Sequence, residues 1–235
     1  FGFVAQRAGM DHIGPYTYNG IRFLLGGFCL LPLVLRRPAV PLAERSRQIP
    51  LARAGLLAGI VLFLAATLQQ VGLQYTTAGK AGFITGLYVV LVPIIGMAFR
   101  QRTNTGTWVG AAAASGGLYL LSVNEALHIE PGDLLELIGA LFWAVHVLLL
   151  GWLSPRTAPV RLALVQFLVC GVLSLVTGLV LEPFSLEAVR AAAVPILYGG
   201  VCSVGAGYTL QVVMQRRAHP AHAAILLSLE SPFAA

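Results

Sequence analysis

The string Thr67-Leu68-Gln69 is repeated as Thr209-Leu210-Gln211, 142 residues further along the chain. Both copies lie inside long apolar stretches. At the same offset the chain matches itself at three more pairs: Val71 with Val213, Ala81 with Ala223 and Leu87 with Leu229. An internal repeat of this kind indicates that the chain consists of two related halves.

The amino-acid composition is typical of a membrane protein. Hydrophobic residues make up 57% of the 235-residue chain and charged residues only 10%, whereas roughly 25% of the residues in soluble domains are charged. Crossing a hydrocarbon layer of about 30 Å takes about 20 mostly apolar residues as helix, because lipid offers no partner for an open backbone amide. We therefore predict an all-α polytopic membrane protein.

Seven apolar windows are long enough to span the membrane: 15–35, 53–75, 79–99, 105–122, 132–153, 160–181 and 192–215. Apolar runs that include Phe1-Gly2-Phe3-Val4-Ala5 and Phe233-Ala234-Ala235 are predicted as parts of a first and a ninth helix. Completing the second half by symmetry gives ten helices as five plus five, with the first and ninth partial and the tenth absent. We thus expect a fragment of a longer protein, with halves at 1–122 and 132–235 joined by an outer loop at 123–131.

Basic residues alternate between the predicted loops. Eleven arginines lie in every second loop: Arg36, Arg37, Arg45, Arg47, Arg53, Arg100, Arg102, Arg156, Arg161, Arg216 and Arg217. The opposite loops contain only Arg7, Lys80 and Arg190. By the positive-inside rule the arginine-rich loops face the cytoplasm, which predicts a multi-pass protein of the cytoplasmic (inner) membrane. The net charge of +6 reflects this placement and gives no indication of nucleic-acid binding.

The two copies of the repeat are predicted to cross the membrane in opposite directions. Because each half has an odd number of spans, the helix with Gln69 runs from inside to outside and the helix with Gln211 from outside to inside. Inverted repeats are typical of alternating-access carriers, whose substrate site lies near the midplane between the repeats. They also occur in channels, so the architecture alone leaves both mechanisms open.

Several segments resemble the EamA-type transporters of the drug/metabolite transporter superfamily. LQYTTAGKAGFITGLYVV at 73–90 is similar to that family's junction between the third and fourth helices, and AHAAILLSLESPF at 221–233 is similar to its ninth helix. GALFWA at 139–144 and Arg22 agree with the sixth and second helices. The resemblance implies a ten-helix bundle of two inverted five-helix repeats that carries small metabolites, commonly amino acids or other polar solutes, through a central cavity.

Two ionisable residues inside predicted spans are candidates for this cavity. Glu230 lies nine residues beyond Ala221, about 14 Å along the helix and so close to the midplane, where a charge is costly. It is interpreted as a contact to a substrate amine, a proton site, or a hydrogen bond between helices. Arg22 lies about 10 Å from the outer face, and its guanidinium is suited to bind a substrate carboxylate, to pair with a carboxylate of the protein, or to snorkel to the headgroups.

The sixth predicted helix has a polar stripe. Glu136, Gly139, Trp143 and His146 follow one another at intervals of three or four, and so share one face. Trp143 and His146 are predicted to line the cavity, with packing and a hydrogen bond to a neighbouring carbonyl as the alternatives. Because histidine changes its charge near neutral pH, proton coupling through His146 is a further hypothesis.

Amides near the two copies of the repeat suggest gates. Gln69 lies toward the outer end of its helix and Gln211 toward the inner end of its own, and both are predicted to contribute to the cavity. Interhelical hydrogen bonding, worth roughly 0.6 to 2 kcal/mol per contact, is the alternative. Tyr88 aligns with Glu230 across the repeat, and with Thr85 on its face it is also predicted to line the cavity.

These observations predict transport of a small polar metabolite by alternating access, with protons as a candidate coupling ion. The expected partners are the solute and the lipid bilayer. No nucleic acid, cofactor or metal is implied, and nothing in the sequence indicates the oligomeric state. A non-transport membrane scaffold is the alternative. An intramembrane lipid-modifying enzyme would need clustered Asp, Glu or His residues, whereas the ionisable residues inside the predicted spans are scattered over different helices with no DxxD or HxxxH arrangement.

Overall fold

The computed structural model describes residues 2–36, 49–100, 105–122 and 130–228, and these residues form helices and short connections without any strand. The helices are α1 (Gly2–Met10), α2 (Pro15–Arg36), α3 (Leu51–Gly72), α4 (Ala78–Gly86), α5 (Tyr88–Ala98), α6 (Thr105–Ser122), α7 (Pro131–Leu153), α8 (Pro159–Leu181), α9 (Leu186–Ala191), α10 (Ala193–Leu197), α11 (Thr209–Met214) and α12 (Pro220–Ser228). A 3₁₀ turn at Ser154–Arg156 extends α7, and a π-helical segment at Tyr198–Tyr208 joins α10 to α11.

Six helical segments within the described residues are long and apolar enough to cross a membrane: Pro15–Arg36, Leu51–Gly72, Ala78–Ala98, Pro131–Arg156, Pro159–Leu181 and Ala193–Met214. They correspond to six of the seven predicted spans. The remaining window, 105–122, forms α6, a helix of 18 residues. Its many Gly, Ser and Thr residues make it less apolar than the other six. The two partial runs at the ends of the sequence contain α1 and α12.

The second helices of the two halves, α2 and α8, cross in opposite directions. A Cβ atom at Gly20 would lie 2.9 Å from Cα of Leu175, and a Cβ atom at Gly171 would lie 2.9 Å from the backbone nitrogen of Leu24. Early residues of one helix thus meet late residues of the other, and the missing side chains let the backbones approach closely. Equivalent helices that run antiparallel are what an inverted repeat requires.

The packing of the third helices follows the same symmetry. In the first half, α3 packs against α7 and α8, the first and second helices of the second half. In the second half, the segment made of α10 and the π-helix packs against α1 and α2 of the first half. Each third helix therefore contacts the first two helices of the other half, and the two halves are intertwined rather than side by side.

Polar contacts define the two ends of the bundle. At one end, the Glu182 carboxylate at the end of α8 accepts hydrogen bonds from the backbone nitrogens of Tyr16 (2.9 Å) and Thr17 (2.8 Å) and from the Thr17 hydroxyl (2.6 Å). At the other end, the backbone nitrogen of Ile49 donates to the carbonyl of Arg156 (3.2 Å). The Glu182 contact joins α8 to the first turn of α2, across the boundary between the halves.

Two predicted spans are less regular than uninterrupted helices. The window 79–99 is divided at Leu87, whose backbone nitrogen donates to the carbonyl of Ile84, only three residues earlier (3.1 Å). Pro93 lies within the following helix, α5. The window 192–215 widens into the glycine-rich π-helical segment. π-Helical turns often accompany functional sites, and both irregular regions contribute to the cavity described next.

Candidate functional site

A small cavity lies between the two halves. Its walls come from α1, α3, α4 and α5 of the first half and from α7, the π-helical segment, α11 and α12 of the second. The lining residues are Phe3, Gln6, Gln69, Thr85, Gly86, Tyr88, Trp143, Val147, Tyr208, Gln211 and Leu227. The volume of about 40 Å³ has room for about three water molecules. All of the described lining side chains are uncharged.

The two glutamines of the repeat lie toward opposite ends of this cavity. Gln69 packs beside the early part of α7, because a Cβ atom at Gly139 would lie 3.4 Å from its backbone nitrogen. Gln211 lies among residues that contact the end of α7, since the carbonyl of Val212 next to it accepts a hydrogen bond from the Ser154 hydroxyl (2.6 Å). Along α7, Trp143 lies between Gly139, which is beside Gln69, and Ser154, which is near Gln211.

Aromatic side chains form the middle of the cavity. The rings of Trp143 and Tyr208 meet edge to face, with 5.7 Å between centroids and an interplanar angle of 72°, a favourable arrangement for aromatic pairs. Tyr88 approaches from the first half, directly after the interruption at Leu87. The indole nitrogen of Trp143 is buried without a hydrogen-bond partner among the described residues.

A chain of hydrogen bonds connects a buried carboxylate to the cavity wall. Thr85 Oγ1 donates to Glu136 Oε2 at 2.8 Å, and Gln69 Nε2 lies 3.4 Å from Thr85 Oγ1. The three side chains come from α4, α7 and α3, and Glu136 is completely buried. Sequence reasoning named Glu136 as part of the polar stripe but did not include it among the site residues.

Arg22 does not line this cavity. Its guanidinium is fully buried; Nε donates to Asn19 Oδ1 at 2.9 Å, and the group packs 5.4 Å and 5.0 Å from the ring centroids of Tyr18 and Phe23. Asn19 in turn donates to the carbonyl of Ala66 at 3.0 Å. The arginine is therefore part of the packing between α2 and α3, and snorkelling to the headgroups is incompatible with its burial.

His146 also lies outside the cavity lining. It is 2% exposed, its Nε2 lies 3.1 Å from Gln166 Oε1, and its ring packs edge-on against Trp143 with 5.9 Å between centroids. This contact between the imidazole and the amide joins α7 to α8. His146 supports the aromatic wall from behind and reaches the cavity only through Trp143.

Four of the seven proposed site residues thus line one cavity: Gln69, Tyr88, Trp143 and Gln211. Glu230 lies outside the described residues, and its role stays a prediction. Gln6 is a lining residue that sequence reasoning missed, although a lone amide in an otherwise apolar run was the available signal. Its side-chain oxygen is buried without a described hydrogen-bond partner, as is that of Gln69.

The sequence profile of the EamA-like transporter family matches residues 1–123 and 130–235. The chain belongs to the EamA-like transporter family. A protein of Archaeoglobus fulgidus named "Uncharacterized transporter" is 30% identical to it over 233 residues, which cover 99% of this chain and 70% of that protein. Family and relative both indicate a transporter, and the family assignment confirms the resemblance seen in the sequence.

A solved crystal structure shares the EamA-like fold of this chain. It superposes with a TM-score of 0.72 at 18% sequence identity, covering 99% of this chain and 82% of the other. At this identity the likeness concerns the fold alone. It agrees with the helical, multi-pass membrane architecture described above.

Proposed function

We propose that this protein carries a small polar solute, an amino acid or a similar metabolite, across the membrane by alternating access of its two halves. One observation carries this proposal: one partly open cavity receives polar side chains from both halves, with Gln69 and Thr85 on one side and Trp143 and Gln211 on the other. A site shared in this way changes shape whenever the halves move against each other.

The lining favours a solute that is recognised by hydrogen bonds and ring contacts rather than by a fixed charge. Gln6, Gln69 and Trp143 line the cavity, and their two amide oxygens and one indole N–H have no described hydrogen-bond partner. A buried polar group without a partner is costly in free energy. A solute with both donor and acceptor groups, such as an amino acid, satisfies these groups at once.

The size of the cavity supports a moving mechanism. Its volume of about 40 Å³ is far below the roughly 300 to 1,000 Å³ of typical small-molecule sites. A cavity that widens when the halves move apart would admit a metabolite, which fits the proposed alternating access. The antiparallel contact of α2 with α8 is a candidate axis for that motion, because it joins equivalent helices of the two halves.

The proposed location is the cytoplasmic membrane, with the arginine-rich ends of the helices inside. The described basic residues support this orientation: Arg53 and Arg156 lie at the end marked by the contact of Ile49 with Arg156, whereas Lys80 lies at the other end, 3.6 Å from Asp133. Protons are the proposed coupling ion.

Solute flux into proteoliposomes of the full-length protein tests the function. We expect saturable uptake of at least one radiolabelled amino acid or related polar metabolite, stimulated by a pH gradient. Gln69→Leu should reduce this flux, because it removes an amide from the cavity wall. Gln74→Leu is the matched control, since Gln74 is exposed and lies beyond the end of α3. Absence of saturable flux across all solute classes would overturn the proposal.

The scaffold alternative predicts polar residues that face lipid instead of a common interior. His146 is 2% exposed, and Gln69 and Glu136 are 3% and 0% exposed. These side chains are directed into the bundle, which supports transport over a purely structural role.

A further inference from the structure

The carboxyl group of Glu136 is buried without a compensating cation among the described residues. From α4, Lys80 pairs with Asp133 at 3.6 Å, and from α1, Arg7 donates to the carbonyl of Leu73. From α3, the uncharged Gly72 lies beside it, since a Cβ atom there would lie 3.1 Å from Glu136 Oε1. On its own helix the nearest charged group is Asp133, one turn away, which repels a second negative charge.

One carboxyl oxygen of Glu136 accepts a hydrogen bond and the other has no described hydrogen-bond partner. Oε2 accepts from Thr85 at 2.8 Å, while Oε1 has no hydrogen-bond partner among the described residues. Burial of an ionised carboxylate disfavours the charged form, and a nearby negative charge does the same. The unpaired Oε1 of Glu136 is therefore a position at which a proton is able to bind.

The direction of the hydrogen bonds links this proton to the cavity. When Glu136 is ionised it only accepts, so the Thr85 hydroxyl donates to it, and the hydroxyl oxygen then accepts from Gln69 Nε2. Gln69 Oε1 is left without a described partner, on a residue that lines the cavity. When Glu136 is protonated, its O–H is able to donate to Thr85 Oγ1, and Thr85 is then able to donate to Gln69 Oε1 after the amide rotates. The amide N–H₂ is then the group available to the cavity.

We propose that Glu136 is a proton-binding site of this carrier, and that Thr85 and Gln69 relay its protonation state to the cavity. Binding takes one proton from the aqueous phase, forms one carboxyl O–H bond and changes the charge of the site from −1 to 0. The cavity end near Gln69 presents an acceptor in the ionised state and a donor in the protonated state. Solute affinity and proton binding are thereby coupled, which deepens the proposed function and rests on it.

The proton site is tested by infrared difference spectroscopy of the full-length protein in lipid nanodiscs, titrated with pH in the absence of solute. We expect a protonated-carboxyl C=O band with slow hydrogen–deuterium exchange, as a buried group gives. Glu136→Gln should abolish the band. Glu187→Gln, which removes an exposed carboxyl on α9, should leave it intact. Absence of a slowly exchanging band in the wild type, or its persistence in Glu136→Gln, would overturn the proposal.

The relay is tested by the fluorescence of Trp143, after the other two tryptophans, Trp108 and Trp152, are replaced by phenylalanine. We expect its emission to change with pH at the same midpoint as the infrared band. Thr85→Val should remove the fluorescence change while the band remains, and Thr85→Ser should keep both. A fluorescence change that persists unaltered in Thr85→Val would refute the relay.

A further variant covers the case in which Glu136→Gln does not fold. Glu136→Asp keeps a carboxyl but shortens the side chain by one methylene, which moves the carboxyl away from Thr85. The infrared band should remain and the Trp143 response should be lost; a retained response would contradict the relay.

Neither readout requires transport. A titrating band without flux of any solute overturns the carrier and keeps the proton site, whereas flux without the band overturns the proton site and keeps the carrier.

Discussion

Glu182 should contribute to stability by joining the end of α8 to the first turn of α2. Helix α2 begins with Pro15, and the free backbone N–H groups of its first turn need acceptors. The Glu182 carboxylate accepts from two of them, at Tyr16 and Thr17, and from the Thr17 hydroxyl, at 2.6 to 2.9 Å. Its negative charge also lies at the positive end of the helix dipole.

Glu182→Gln keeps the shape of the side chain but replaces one acceptor oxygen with an NH₂ group. At least one charge-assisted hydrogen bond is lost, worth about 1.5–3 kcal/mol, together with a dipole contribution of about 0.3–1 kcal/mol. Because Glu182 is only partly buried, solvent screening reduces the sum. We expect the free energy of unfolding to fall by about 2 kcal/mol.

The assay is reversible unfolding in mixed lipid–detergent micelles, followed by circular dichroism during titration with dodecyl sulfate. Glu187→Gln is the matched control, because Glu187 is exposed on the short helix α9 five residues later; it should change the unfolding free energy by less than about 0.5 kcal/mol. Equal effects of the two substitutions would refute the assignment of Glu182 as the acceptor that joins α8 to α2.

Two further predictions concern packing and topology. Gly59→Ala should lower the free energy of unfolding by about 1–3 kcal/mol in the same assay, because its Cβ would lie 2.6 Å from Cβ of Val169. The control Gly116→Ala should not lower it, because a Cβ there meets no described atom within 4 Å. In a cysteine-free background, a membrane-impermeant maleimide should label Ser185→Cys in intact cells but label Arg156→Cys only after permeabilisation. The reverse pattern would contradict the proposed orientation.

The architecture was largely predictable because it depends on patterns that extend over the whole chain. Apolar stretches of about 20 residues give the spans, and six of the seven predicted windows became long apolar helices. The duplication around Gln69 and Gln211, combined with the alternation of arginines, predicted inverted halves. The antiparallel crossing of α2 and α8 confirms that arrangement in the fold.

The details of the site were less predictable, because they depend on contacts between distant residues. The chain Glu136–Thr85–Gln69 brings together three helices, and no local pattern indicates that Thr85 lies between the other two. Arg22 was assigned to the cavity because its guanidinium is suited to bind a substrate carboxylate, but its described partners are Asn19 and two aromatic rings rather than cavity groups. The sequence predicts that a polar residue inside a span is buried, but it does not predict which side chains surround that residue.

The irregular segments were missed for a related reason. The interruption at Leu87 lies six residues before Pro93, although proline is the residue that usually kinks a helix. The π-helical segment at Tyr198–Tyr208 is rich in glycine, but glycine in an apolar span is equally compatible with close packing of an ordinary helix. Tertiary contacts with α2 decide between these outcomes.

Cysteine labelling of the two repeat glutamines tests the central claim most directly. In a cysteine-free background, Gln69→Cys should react with an impermeant maleimide from outside and Gln211→Cys from inside. In the double variant, attaching a bulky maleimide at position 211 from the inside should hold that side open and strongly slow the outside labelling of position 69. Alternating access predicts this slowing; unchanged labelling of position 69 would indicate a static pore or scaffold and contradict it.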